Sequence, residues 1–121
     1  PLNIFRTSGN IAINNVHFGK LLNCCKDKID GVVAVRDSIA VSFINFMIEK
    51  GYQIPEDISV FGFQNTKYAS LSRPKLSCID IPIIEIGVRA MHLLKHEMDR
   101  KEILEKFQEL PHNIILRETT R

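Results

Sequence analysis

The sequence predicts an α/β domain built on a mostly parallel sheet. Two observations carry this. Short apolar runs at residues 31–35 and 58–63 read as buried strands, and helical stretches alternate with them. The join between them is tightly specified. Gly51 is placed to close a helix in the left-handed conformation, and Pro55 forbids helix and biases Ile54 to extended geometry. Ile58, Val60, Phe61 and Phe63 then form the strand. Strands alternating with helices imply right-handed crossovers.

The elements follow in order. Residues 4–6 are expected to form a short strand, punctuated by Ser8, Gly9 and Asn10. A helix is expected over residues 15–26, with Val16, Gly19 or Lys20, and Leu22 or Asn23 at helical spacing. Lys20, Lys26 and Lys28 lie toward its C-terminal end, which suits the helix dipole. Residues 31–35 form a strand. Asp37 or Ser38 can cap a helix over 39–50, which turns Ile39, Phe43, Phe46 and Met47 toward a core. Residues 64–73 read as a polar loop or short helix, and 76–79 as another strand. Pro82 suits the first turn of a long helix whose apolar stripe is Ile83, Gly87, Ala90, Met91 and Leu94. Residues 99–106 read as a charged, solvated helix end and loop. Residues 110–116 form a last strand, with Pro111 tolerable near an edge.

Composition bounds the class. A chain of 121 residues can bury one core, and 45% hydrophobic with 25% charged residues is ordinary for a globular domain. A formal net charge of +2 does not by itself imply nucleic-acid binding. No stretch approaches about 18 uninterrupted apolar residues, so no membrane helix is expected. The N-terminus lacks a signal-peptide pattern and an initiator Met, so the chain is expected to be a piece of something longer. Cys24, Cys25 and Cys78 form no Cys-x-x-Cys and are expected to be buried thiols in a reducing compartment.

Arg36 and Asp37 stand where a strand gives way to a helix, and Gln64 and Asn65 follow the next strand. In parallel sheets, ligands bind at the carboxyl ends of strands, so these four are candidate ligand contacts. The bland reading is that Asp37 is a cap and Arg36 a solvated rim charge. His92 and His96 are one helical turn apart, but no Glu intervenes and no third ligand is evident, so no metal is expected. There is no Gly-x-Ser-x-Gly, Walker loop or dinucleotide fingerprint, so neither a cofactor nor catalysis is expected.

Five motifs, spread over residues 29 to 120, carry a resemblance. They are Asp37-Ser38-Ile39-Ala40; Gly51 with Pro55-Glu56-Asp57 and Gly62-Phe63; Arg73-Pro74-Lys75-Leu76-Ser77; Ile86-Gly87 with Ala90; and Leu110-Pro111 with Leu116, Arg117 and Thr119-Thr120. In this order they resemble the lactose-repressor/galactose-repressor family of bacterial transcription regulators, and the last two resemble its catabolite control protein branch.

The resemblance implies a three-layer core like that of periplasmic sugar-binding proteins. Residues 1–80 would be a C-terminal subdomain lacking its first strand and helix, 81–108 a helix and connection crossing to the other lobe, and 109–121 a returning strand and tail. It implies a cytoplasmic effector-sensing and dimerising module, with DNA read only by a separate N-terminal helix-turn-helix and no membrane contact. Ile11 matches the position where many members stack an aromatic ring on the ligand. Sugar-binding members usually carry Asn-Asp where Arg36-Asp37 stands, and Asp at Gln64. A carboxylate is lost here and a cation gained, so a sugar phosphate or sugar acid suits Arg36 better than a neutral sugar. A third option is that no small effector binds. The resemblance also implies a dimer interface at Val41, Ile44, Asn45, Tyr68 and Leu71. Val41, Ile44 and Asn45 would share a helix face distinct from that of Phe43, Phe46 and Met47. In the catabolite control branch the helix after Pro82 docks a phosphorylated carrier protein, which places Glu85, His92 and His96 at that contact. The rival readings are a transport binding protein of the same fold and a small α/β enzyme.

Overall fold

The computed structural model describes residues 4–25, 29–99, 107 and 109–121. Its elements run α1 (Ile11–Cys25), β1 (Gly31–Val33), α2 (Asp37–Glu49), β2 (Ser59–Phe63), α3 (Lys67–Leu71), β3 (Ser77–Asp80), α4 (Ile83–Met98) and β4 (Asn113–Ile115). The strands form one sheet in the order β1-β2-β3-β4. β1 and β3 both run parallel to β2, and β4 runs antiparallel to β3.

The helix α2 organises the core. Ala40, Phe43, Ile44 and Met47 recur on one stripe and are at most 1% exposed. They pack on Val60 of β2 and Ile58 just before it, and on Leu76 and Cys78. Phe18 of α1 meets Phe43 edge-on at 5.2 Å and Phe46 at 5.7 Å, which fixes α1 against α2. Gly51 closes α2 as expected, at φ 89°. Its N–H bonds the Ile48 carbonyl and the Tyr52 N–H bonds that of Met47, the paired bonds of a Schellman stop.

The opposite face of the sheet is thinly covered. Val33 and Val35 are 71% and 76% exposed, and no residue of α4 is buried. The chain's own core is therefore one-sided among the described residues.

Several expectations are corrected. Residues 4–6 form no strand; they lie outside any ladder, and Ile4 is exposed. α1 begins four residues before the expected start. Asn10 caps it, its Oδ1 accepting from the Ala12 and Ile13 N–H groups. Its buried stripe is Asn14, Phe18 and Leu21, so Val16 faces outward. The Asn14 side chain can be buried because it exchanges two hydrogen bonds with the Ser8 backbone, at 2.8 and 2.9 Å. Cys24 is exposed and Cys25 half-buried; only Cys78 is buried. Pro82 is the N-cap of α4 rather than a first-turn residue. The last strand covers only Asn113–Ile115. Lys26, Lys28 and most of the charged stretch 99–106 lie outside the described residues.

The tail after β4 locks into the sheet. Thr119 Oγ1 donates to the Val60 carbonyl at 2.6 Å and accepts from the Ser77 N–H at 2.9 Å, while the Val60 N–H reaches the Thr119 carbonyl. Glu118 and Lys75 exchange two more bonds. These contacts satisfy backbone groups between β2 and β3 that would otherwise be unpaired.

Candidate functional site

Asp37 is the first residue of α2, and Arg36 takes the N-cap position without a side-chain capping bond. Instead of capping its own helix, the Asp37 carboxylate crosses to the loop after β2. Oδ1 accepts from the Phe63 N–H at 3.0 Å, and Oδ2 accepts from the Thr66 N–H at 2.6 Å and the Thr66 hydroxyl at 2.8 Å. The residue is 1% exposed, so this carboxylate braces the loop and presents little to a ligand.

The braced loop is strained. Gln64 has φ 129° and Asn65 φ 54°, both positive and neither a glycine. Asn tolerates the left-handed region, whereas a Gln there is costly and persists only where its surroundings hold it. The Gln64 N–H is held by the Ile79 carbonyl at 3.0 Å, and its side chain stays half-buried at the strand end.

Asn65 is turned inward. Its Oδ1 accepts from Arg117 Nη2 at 2.7 Å and from the Cys78 thiol at 3.5 Å, and its Nδ2 donates to Asp80 Oδ1 at 3.1 Å. Arg117 also donates through Nη1 to the Leu76 carbonyl and to Cys78 Sγ. Burial pushes the Cys78 thiol above its ordinary range, opposed by the hydrogen bond and charge of Arg117. The thiol therefore stays protonated and acts as a small hydrophobe with a weak donor.

Arg36 is the exposed member of the set. Its side chain makes no hydrogen bond or ion pair among the described residues. It lines a cavity of about 860 Å³ with Ile11, Ser8, Asn15, Ser38 and Tyr68. Arg36 and Ile11 line the same cavity, while Asp37, Gln64 and Asn65 do not. Of the residues expected at a dimer interface, Val41, Asn45 and Tyr68 line the same cavity, and Leu71 is 71% exposed. Ile44 is different: it is fully buried in the chain's own core and shares no outer face with Val41 and Asn45. On α4, Glu85 pairs with Arg89 at 2.7 Å, and His92 and His96 are exposed one turn apart. No group of three potential metal ligands occurs among the described residues.

Sequence reasoning missed Asn14 and Thr66, and it named Arg117 and Thr119 only as parts of a motif, without their partners. Each is a polar residue whose partner is distant in the chain or inside a turn, so no local periodicity marks it.

A mostly parallel sheet packed on by helices, with a braced polar loop after β2, defines an α/β domain. The family described as periplasmic binding protein-like domain matches residues 5–120. The chain belongs to this family, in the form carried by the effector-binding domains of lactose-repressor/galactose-repressor transcription regulators. It is 36% identical over 93 residues to the HTH-type transcriptional regulator RegA of Clostridium saccharobutylicum, covering 77% of this chain and 28% of that protein. It is 30% identical over 95 residues to catabolite control protein A of Priestia megaterium, covering 78% and 29%. The fold matches catabolite control protein A of Lactococcus lactis with a TM-score of 0.83 at 24% identity, covering 97% of this chain and 42% of that one. It also matches the regulator CelR in complex with cellobiose, with a TM-score of 0.82 at 20% identity, covering 93% and 34%. The chain thus spans well under half the length of these relatives. RegA and the Lactococcus lactis catabolite control protein A are named as transcription regulators.

No helix among the described residues is long and apolar enough to cross a membrane.

Proposed function

We propose that the chain is the effector-sensing part of a cytoplasmic bacterial transcription regulator. Its ligand sits at the carboxyl ends of the strands, and occupancy shifts the DNA-binding competence of a separate helix-turn-helix domain. The observation that carries this reading is the Arg36 guanidinium, without a partner among the described residues, in the cavity it shares with Ile11 between β1 and α2, in a domain whose relatives regulate transcription. The CelR complex contains cellobiose, a neutral sugar. Here a free guanidinium at the rim favours an anionic one, a sugar phosphate or sugar acid, which it can grip bidentately.

Calorimetric titration is expected to show glucose 6-phosphate or gluconate binding more tightly than glucose or cellobiose. Arg36→Ala is expected to weaken the anionic sugar about 10- to 100-fold, the worth of one or two charge-assisted hydrogen bonds, and to leave neutral sugars unchanged. Equal binding of charged and neutral sugars by the wild type would refute the anionic preference.

A second reading concerns α4. Its 16 residues include no buried one, although Ile84, Met91, Leu94 and Met98 are 85%, 65%, 53% and 75% exposed. A helix this apolar needs a cover. We infer that α4 and the segment around it cross to a second lobe, that β4 and the tail return from it, and that His92, His96 and Glu85 mark a contact for a phosphorylated carrier protein. Val41, Asn45, Tyr68 and Leu71 remain the surface for a homodimer. By itself the chain is expected to self-associate through α4. Sedimentation velocity at high micromolar concentration should show a species larger than a monomer, and Met91→Lys with Leu94→Lys should restore the monomer. A wild-type monomer at that concentration would remove the idea of an uncovered helix.

A further inference from the structure

Asn65 joins three parts of the chain that sequence places far apart. Its carbonyl oxygen is held by Arg117, 52 residues away, and its amide nitrogen by Asp80. Asp80 ends β3, lies opposite Asn113 of β4, and leads directly into the Pro82 cap of α4. Arg117 sits in the tail that follows β4, and its backbone N–H is pinned by Ser77 Oγ at 2.8 Å. The strained loop is thereby tied to the strand that leaves for α4 and to the segment that comes back.

We propose that Arg117 is a positioning residue for the strained loop after β2, acting through Asn65. The Asn65 side chain must be held if its backbone is to stay at φ 54° and keep the unfavourable φ 129° of Gln64 in place. The guanidinium suits this role. Its planar fork reaches Asn65 Oδ1 with one nitrogen and the Leu76 carbonyl with the other, so the loop is registered against β3 in two directions. A change in the spacing of β3 and the returning tail would move Asn65 and re-aim Gln64. This gives the strand-end site a mechanical link to α4, which neither the Asp37 brace nor the Arg36 cavity provides. The inference rests on the reading of this loop as part of a ligand site.

The test needs no ligand, so its failure is separable from failure of that reading. Hydrogen exchange is followed by NMR on the full chain at the amides of Gln64 and Asn65, with Ser59 and Phe61 of β2 as the internal reference, since the Ser59 N–H bonds the Asp30 carbonyl and not the tail. Arg117→Met is expected to speed exchange at 64–65 by about tenfold or more relative to the β2 reference. Arg117→Lys is expected to restore part of the protection, because an ammonium can still reach one acceptor. Asn65→Gly, which keeps the left-handed backbone accessible but removes the side-chain bridge, is expected to give the same local rise. The double variant should be no worse than either single variant, since both remove one link. Effects that add, exchange that rises equally in β2, or unchanged exchange at 64–65 would each overturn the proposal. Should Arg117→Met fail to fold, Asn65→Gly and Arg117→Lys carry the same local-versus-global comparison.

Discussion

Asp37→Ala is expected to lower the stability of the chain by about 2–4 kcal/mol, out of the 5–15 kcal/mol typical of a domain. The carboxylate accepts three hydrogen bonds, from the Phe63 N–H, the Thr66 N–H and the Thr66 hydroxyl. Truncation leaves two backbone donors in a part-buried loop without their acceptor, and bonds to a charged acceptor are about twice as strong as neutral ones. Asp37→Asn should recover part of the loss. Its oxygen can still serve the Phe63 N–H, but its NH₂ then faces the Thr66 N–H, donor against donor. Urea unfolding measures the effect as a fall in midpoint at unchanged slope. A loss below about 1 kcal/mol for the alanine variant would mean that water replaces the carboxylate without cost, and the brace would then be incidental.

How much of this was legible in the sequence depends on how local the physics is. Gly51 and Pro55 act through their own dihedrals, so the end of α2 and the start of the next strand could be placed from composition alone. The stripe of Phe43, Phe46 and Met47 needs only helical periodicity. Ile44 shows the limit of that reasoning. Spacing put it with Val41 and Asn45, yet a helix packed between α1 and the sheet buries a stripe wide enough to include it. The start of α1 was hidden because Ser8, Gly9 and Asn10 read as a loop, when Asn10 is the cap and Asn14 a buried polar anchor.

The strand-end loop followed the same rule. That Asp37 and Asn65 stand at strand ends could be read from the apolar runs before them. That both face inward could not, because the partners of Asp37 lie up to 29 residues away and that of Asn65 52. Arg36 could be read as a cation after a strand because it answers to no distant partner among the described residues.

Gly62→Ala is expected to be comparably damaging, by about 1–3 kcal/mol from overpacking. A Cβ at residue 62 would lie 2.6 Å from Asp37 Oδ1 and 2.6 Å from Leu76 Cδ2, closer than nonbonded atoms sit. The leucine end can rotate, although Leu76 is fully buried and has little free space. The carboxylate cannot yield without stretching its bond to the Phe63 N–H, one residue along β2. Part of the cost of the methyl group should therefore be the cost of displacing Asp37. That gives the prediction a sharper form. In an Asp37→Ala background the obstructing oxygen is gone, so adding Gly62→Ala should cost about 1 kcal/mol less than it does in the wild type. Additive losses would place the strain on Leu76 instead. Gly62→Ala with Leu76→Ala would then be the pair showing compensation, since the vacated leucine volume accommodates the new methyl. In either case the glycine is required by the close approach of its neighbours on the α2 face of the sheet rather than by its own backbone angles.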